Sequence, residues 1–147
     1  MIAIDTNLLV YSHRTDSPLH ASAKELVGNL RKGKVEWAIP WPCLHEFVAI
    51  VTNPRIFKDP TPLPLAFETI DSWLAGDNLN LIGESEAYLE KLREQAIKAR
   101  LQGAVIHDAR IAALCLHHGV RELLSADRNF KRFPDLSVRN PLAPVTP

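Results

Sequence analysis

Four acidic residues stand in surroundings where an acid is costly unless it has a task. Asp5 follows the apolar run Ile2–Ile4 in "MIAIDTNLLV", and Glu46 lies inside "WPCLHEFVAIV". Asp108 occurs in "GAVIHDARIAAL", with Ile111, Ala112 and Cys115 at i+3, i+4 and i+7, and Asp127 in "SADRNFKRF". Carboxylates are rarely buried without a partner. Two of them held about 4 Å apart repel by roughly 4 kcal/mol at an effective dielectric of about 20. If these acids meet, they must be protonated or neutralised by a cation. Arg110 and Arg128 are the basic side chains nearest in sequence. Hard oxygen ligands otherwise select Mg²⁺ or Mn²⁺ over zinc.

Taken singly, each acid has an ordinary explanation. Asp127 could cap the short turn 127–133, and Asp108 could be a first-turn acid favoured by the helix dipole. Glu46 could be solvated, and Asp5 could be a hydrogen-bonded structural acid. Their combination depends on the elements that carry them.

Strand-like runs occur at Ile2–Ile4, Trp37–Ile39, Leu79–Ile82, Leu123–Leu124 and Leu136–Val138. Helical patterns lie between them. Ser17-Pro18 is expected to open a helix running through Leu30 and stopping at Gly33. Further helices are expected at Trp41–Thr52, Leu65–Leu74, Ser85–Ala99 and Ala104–His118, the last closed by Gly119. Within 85–99 the apolar stripe is Leu89, Leu92, Ala96 and Ala99, with Glu94 and Lys98 paired at i,i+4 on the outer face. Pro54–Pro64 reads as a stiff surface loop and Pro141–Pro147 as a short tail.

Short strands alternating with helices predict an α/β domain, its central five-stranded sheet mostly parallel and flanked by helices. The carboxyl ends of parallel strands share one edge, where ligands bind. Asp5 and Asp127 follow strands and belong to that edge. Glu46 lies within the first turns of the helix that leaves the second strand. Asp108 begins a helix that feeds the fourth strand and runs back to the same edge. All four carboxylates can converge there, and a divalent ion would account for Asp5.

The chain has 147 residues, 46% hydrophobic and 23% charged, which suits a single globular domain over 1–147. Lys plus Arg equals Asp plus Glu at 17 each, so bulk charge advertises no nucleic-acid partner, though local patches are compatible with one. Cys43 and Cys115 belong to no metal-binding spacing and read as core thiols of a reducing compartment. No run is apolar enough to span a membrane and no basic leader opens the chain, so a cytoplasmic location is expected.

The segments "IAIDTNLLVY", "HEFVAIVTNPRIF", "GAVIHDARIAAL" and "SADRNFKRF", in this order, resemble the PIN-domain ribonucleases, specifically the VapC-type toxins of bacterial toxin–antitoxin pairs. The resemblance covers nearly the whole chain. It implies a PIN-like fold in which Asp5, Glu46, Asp108 and Asp127 form the acidic quartet that holds one or two Mg²⁺ or Mn²⁺ ions for hydrolysing RNA. Thr6 and Asn7 match the polar pair beside the first acid. Ser125 matches the small hydroxyl residue two before the last. Asn129 departs from the pattern, since family members often carry a second Asp there.

The expected mechanism is metal-assisted endoribonuclease cleavage. Asp5 and Asp108 would contact the ion directly and Glu46 at or near it. Asp127 would bind directly, through water, or at a second ion, while Thr6, Asn7 and Ser125 orient these ligands. Arg14, Arg55, Lys58, Arg110, Arg128, Lys131 and Arg132 are candidates for phosphate contacts, with Arg110, Arg128 and Lys131 the chief candidates for RNA binding. His107 is either a general base or, by its place with Ile111, Leu114 and His118, a packed or solvent-edge histidine. Trp37, Trp41 and Trp73 either stack bases or belong to the core.

The resemblance also implies a homodimer and a cognate VapB-type antitoxin. Two other readings compete. A haloacid dehalogenase-type phosphohydrolase also places Asp after its first strand, but it needs an acid two residues later, where this chain has Asn7. A catalytically silent PIN-like module would bind RNA or a protein without cutting.

Overall fold

A computed structural model describes residues 1–144. Residues 145–147, the end of the expected Pro-rich tail, lie outside the described residues. The chain forms β1 (Ile2–Ile4), α1 (Thr6–His13), α2 (His20–Lys32), β2 (Trp37–Pro40), α3 (Trp41–Val51) and α4 (Leu63–Leu74). It continues through β3 (Leu79–Ile82), α5 (Tyr88–Lys98), α6 (Ile106–His117), β4 (Glu122–Leu124) and β5 (Val138–Arg139). Short 3-10 turns at Gly103–Val105 and Arg128–Arg132 precede α6 and follow β4.

The five strands pair in the order β3-β2-β1-β4-β5, and every pair is parallel. β1 is central: Ile2 and Ala3 face Trp37 and Ala38 on one side, and Ile2, Ala3 and Ile4 face Glu122, Leu123 and Leu124 on the other. The chain grows outward from β1 first through β2 and β3, then resumes beyond β1 with β4. The crevice between β1 and β4 is the switch point where open parallel sheets bind ligands.

Strands buried on both faces read as continuous apolar runs. Trp37, Ala38 and Ile39 are fully buried, as are Ala3, Ile4 and Leu123. Phe47 fills the space above them, its ring 4.9 Å from that of Trp73 in an edge contact. Each of the larger ones, such as Ile4, Ile39, Leu123 and Phe47, contributes roughly 1.5–3 kcal/mol on burial. Both cysteines are buried free thiols, as the sequence suggested. Among the described residues no helix is long and apolar enough to cross a membrane.

Several expected boundaries move. α1 lacks the apolar stripe of a surface helix, since Thr6, Leu8, Leu9 and Val10 are all buried, and no helix was expected there. It starts because Asp5, the last extended residue, caps it by accepting from the Thr6 amide at 2.8 Å. Ser17-Pro18 forms a turn in which Ser17 Oγ accepts from Leu19 N at 3.2 Å, so α2 begins only at His20. α4 begins at Leu63, which places Pro64 in its first turn, where a missing N–H costs nothing. α5 is shorter than expected, and the Glu94–Lys98 pair does not form: Glu94 accepts from Lys91 at 2.8 Å and Lys98 reaches Asp135 at 2.6 Å. Leu136 is buried ahead of the last strand, which shifts to Val138–Arg139.

α6 ends where Gly119 adopts a φ of +68°, a left-handed conformation that glycine tolerates best. The Val120 amide then bonds back to Cys115 O at 2.9 Å, a glycine-based helix stop that turns the chain into β4.

Candidate active site

Asp5 ends β1 while belonging to its ladder, for its amide donates to Leu124 O of β4 at 2.9 Å. Its side chain is 4% exposed. Four donors hold the carboxylate. Oδ1 accepts from the Thr6 amide at 2.8 Å and the Cys43 thiol at 3.6 Å, and Oδ2 accepts from Ser125 Oγ at 2.6 Å and Asn7 Nδ2 at 3.3 Å. Burial drives its pKa up from 3.8 to about 6, against the pull of the Ser125 and Thr6 hydrogen bonds; nearby Glu46 pushes the same way as burial. The protein therefore keeps a carboxylate where desolvation opposes its charge.

The loop after β4 is locked to the start of α1. Ser125 Oγ also accepts from the Asp127 amide at 3.0 Å, and Asn7 Oδ1 accepts from the Ala126 amide at 3.2 Å. Asp127 caps the 3-10 turn by accepting from Asn129 N at 2.8 Å. The capping role considered for Asp127 is thus real, and it leaves the carboxylate at the cleft.

Glu46 projects from α3 and accepts from Thr6 Oγ1 at 2.7 Å, tying the second acid to the residue after the first. Asp108 lies in the first turn of α6. Its pKa is raised mainly by burial and further by the negative charges of Asp127 and Glu46, with Arg132 and His107 pulling the other way. Asp5, Glu46, Asp108 and Asp127 line one cleft of about 230 Å³ together with Thr6, Asn7, Ile50, Ile111 and Phe130. The convergence expected at the sheet edge is present.

Among the described residues no three His, Cys, Asp or Glu side chains are closed around a single point as a metal-ligand set. Yet the donor chemistry fits a hard dication: the acids are carboxylates only, two with pKa values pushed upward, and among the described residues no ion pair involves any of the four. A cation held among them would relieve the repulsion that raises Asp108.

The basic candidates divide. Arg14 binds Asp16 at 2.6 Å and Asp59 O at 2.8 Å and lies over the Phe57 ring at 4.0 Å, so it fastens the 54–62 loop instead of lining the cleft. Arg110 pairs with Glu84 through Nε. Arg128, Lys131 and Arg132 are exposed on the turn that carries Asp127. His107 is exposed, while Trp37 and Trp73 are core and Trp41 is not, at 45% exposure. The contributions of Cys43 to Asp5 and of Thr6 to Glu46 had no sequence signal, because each pairs residues about forty positions apart.

The PIN domain family matches residues 2–136. Ribonuclease VapC43 of Mycobacterium tuberculosis is 34% identical over 142 residues, covering 97% of this chain and 96% of that protein. Ribonuclease VapC48 of the same organism is 28% identical over 139 residues, 95% of this chain and 96% of its own length. Among solved structures, VapBC2 from Rickettsia felis, bound to a DNA fragment from its promoter, superposes with a TM-score of 0.69 at 22% identity, covering 95% of this chain and 98% of the other. That likeness concerns the fold. With the family match spanning most of the chain, the protein belongs to the PIN-domain family and, within it, to the VapC ribonucleases.

Proposed function

We infer that the protein is the toxin of a toxin–antitoxin pair, an endoribonuclease that hydrolyses RNA phosphodiester bonds with the help of Mg²⁺ or Mn²⁺. The observation that carries this reading is the cleft in which acids from four separate elements meet at the switch point of the sheet. A silent binding module would gain nothing from keeping Asp5 ionised against its burial.

Asp5, Asp108 and Glu46 would hold the ion, with Asp127 completing its shell or a second site. When bound, such an ion supplies the positive charge that activates water and balances charge developing on the phosphate. The chain's own part is placement. Ser125, the Thr6 amide and Asn7 fix the Asp5 carboxylate from behind, and the Thr6 hydroxyl fixes Glu46. Such supporting hydrogen bonds orient ligands and set their basicity. Arg128 and Lys131, beside Asp127, and Arg110, near Asp108, contact the RNA backbone; contacts of this kind position a strand without reading its sequence.

The partner is a VapB-type antitoxin, and two copies of the chain pair as a homodimer in the cytoplasm. An uninhibited ribonuclease would damage its own cell, which makes an inhibitor necessary.

The test is cleavage of a panel of structured RNAs with Mg²⁺, with and without EDTA, by the wild type and by Asp5→Asn. Cleavage lost in EDTA and in the variant supports the reading. A purified Asp5→Asn protein with full activity defeats it.

A further inference from the structure

Beside the acidic cleft, with Glu46 as the shared wall, lies a second recess of about 260 Å³ lined by Pro42, His45, Glu46, His107 and Arg110. His45 comes from α3, and His107 and Arg110 come from the start of α6. The histidine hydrogen bonds of the described residues are made by His13, His20, His117 and His118, which leaves both imidazoles of the recess uncommitted. Arg110 spends only Nε on Glu84, and its terminal amino groups have no protein partner among the described residues. Glu46, by contrast, is turned to Thr6 and so to the acidic cleft.

Trp41 stands on the far side of His45, which lines both this recess and the apolar groove where Trp41 lies with Leu44, Val48, Phe67 and Leu74. Its ring centroid is 6.1 Å from that of His45, at an interplanar angle of 37°. The indole lies against Gly83, where an added Cβ would come within 3.0 Å of Cδ1, so the lack of a side chain lets the ring rest on the backbone. Trp37 and Trp73 are buried, whereas Trp41 is 45% exposed. A large aromatic surface left in water beside uncommitted nitrogen donors suits a ligand with both an aromatic face and an anion.

Resting on the ribonuclease reading, we propose that this recess holds the nucleotide next to the one being cut. Arg110 and His107 take its phosphate, and Trp41 with His45 stacks its base. A guanidinium meets a phosphate through two parallel hydrogen bonds, a match that lets RNA compete with the single Nε contact to Glu84. Stacking on an aromatic platform serves every base, so the recess adds affinity and strand direction without demanding a sequence. The strand then leaves the acidic cleft over Glu46 toward Trp41.

The probe is a fluorescein-labelled uridine decaribonucleotide titrated into Asp5→Asn protein and followed by anisotropy, so that binding is read without cleavage. Trp41→Leu and Arg110→Gln, each added to that background, should weaken binding about tenfold. Arg110→Gln should also reduce the slope of log K against log salt by about one. Glu84→Gln releases Arg110 and should tighten binding, an effect that a purely structural Arg110–Glu84 pair would not produce. Circular dichroism verifies that each variant is folded.

Affinity unchanged in both Trp41→Leu and Arg110→Gln overturns the proposal, as does failure of the parent to bind the decamer. A Trp41→Leu effect accompanied by a change of mass in sedimentation overturns it too, since Trp41 would then serve a protein contact across its apolar groove with Leu44, Val48, Phe67 and Leu74. RNA cleavage by the wild type with no binding change in the variants removes the recess and leaves the nuclease. The expected binding pattern in a chain that cuts no RNA does the reverse.

Discussion

Ser125 Oγ donates a 2.6 Å hydrogen bond to Asp5 Oδ2 across 120 positions of sequence, and accepts from the Asp127 amide at 3.0 Å. One hydroxyl thereby sets the first acid of the cleft and the backbone of the fourth. A hydrogen bond to a carboxylate favours its charged form. Ser125→Ala removes the donor that most opposes the upward push of burial on Asp5. The Asp5 carboxyl then holds its proton to higher pH. The acidic limb of the kcat/KM profile should move upward by about one pH unit. A profile that stays in place would show that Ser125 does not govern the Asp5 charge.

Asp5 also makes a signed prediction for stability. Its carboxyl titrates at 3.8 when exposed and at about 6 when folded. Between those values the native state binds more protons than the unfolded state, so stability falls as pH rises through the window. Above it the loss is constant, on the order of 3 kcal/mol for a group this buried. Asn retains an acceptor for the Thr6 amide without the charge. Metal-free Asp5→Asn should therefore melt several degrees above the wild type at pH 7.5, and the difference should vanish near pH 4. Equal differences at both pH values would remove the charge as the cause.

Divalent ions should close most of that gap. An ion that binds only the folded protein stabilises it by about 2.7 kcal/mol at a hundred times its Kd. Mg²⁺ or Mn²⁺ should raise the melting temperature of the wild type and leave Asp5→Asn and Asp108→Asn nearly unmoved. Parallel rises in all three proteins would place the ion elsewhere.

Much of this site is legible in the chain because it follows from topology. Runs such as Ile2–Ile4 and Leu79–Ile82 are strands, parallel strands share an edge, and acids after strands or at returning helix starts reach it. Signals that depend on local pattern were less secure. α1 hides because its buried Leu8, Leu9 and Val10 give no polar face, and its cap is the same Asp5 that marks the site. Ser17-Pro18 carries helix-start chemistry but spends it on a turn. Glu94 and Lys98 had the right spacing for a pair, yet Asp135, far along the chain, offered Lys98 a better partner. Trp41 rests on Gly83, a backbone neighbour that no periodicity announces.

Thr6 joins two acids with separate atoms: its amide donates to Asp5 Oδ1 at 2.8 Å, and its hydroxyl donates to Glu46 Oε2 at 2.7 Å. Thr6→Val keeps the amide, the branching and nearly the volume, and deletes only the second bond. Glu46 is exposed at the rim, so without that tether its long side chain regains rotamers in water. Activity should fall roughly 10- to 100-fold, the usual cost of removing a group that orients a metal ligand. The melting temperature should change by no more than a few degrees, because Thr6 is buried against core it continues to fill. Thr6→Ser, which restores the hydroxyl, should recover most of the rate. Wild-type turnover by Thr6→Val would mean that Glu46 finds its place unaided.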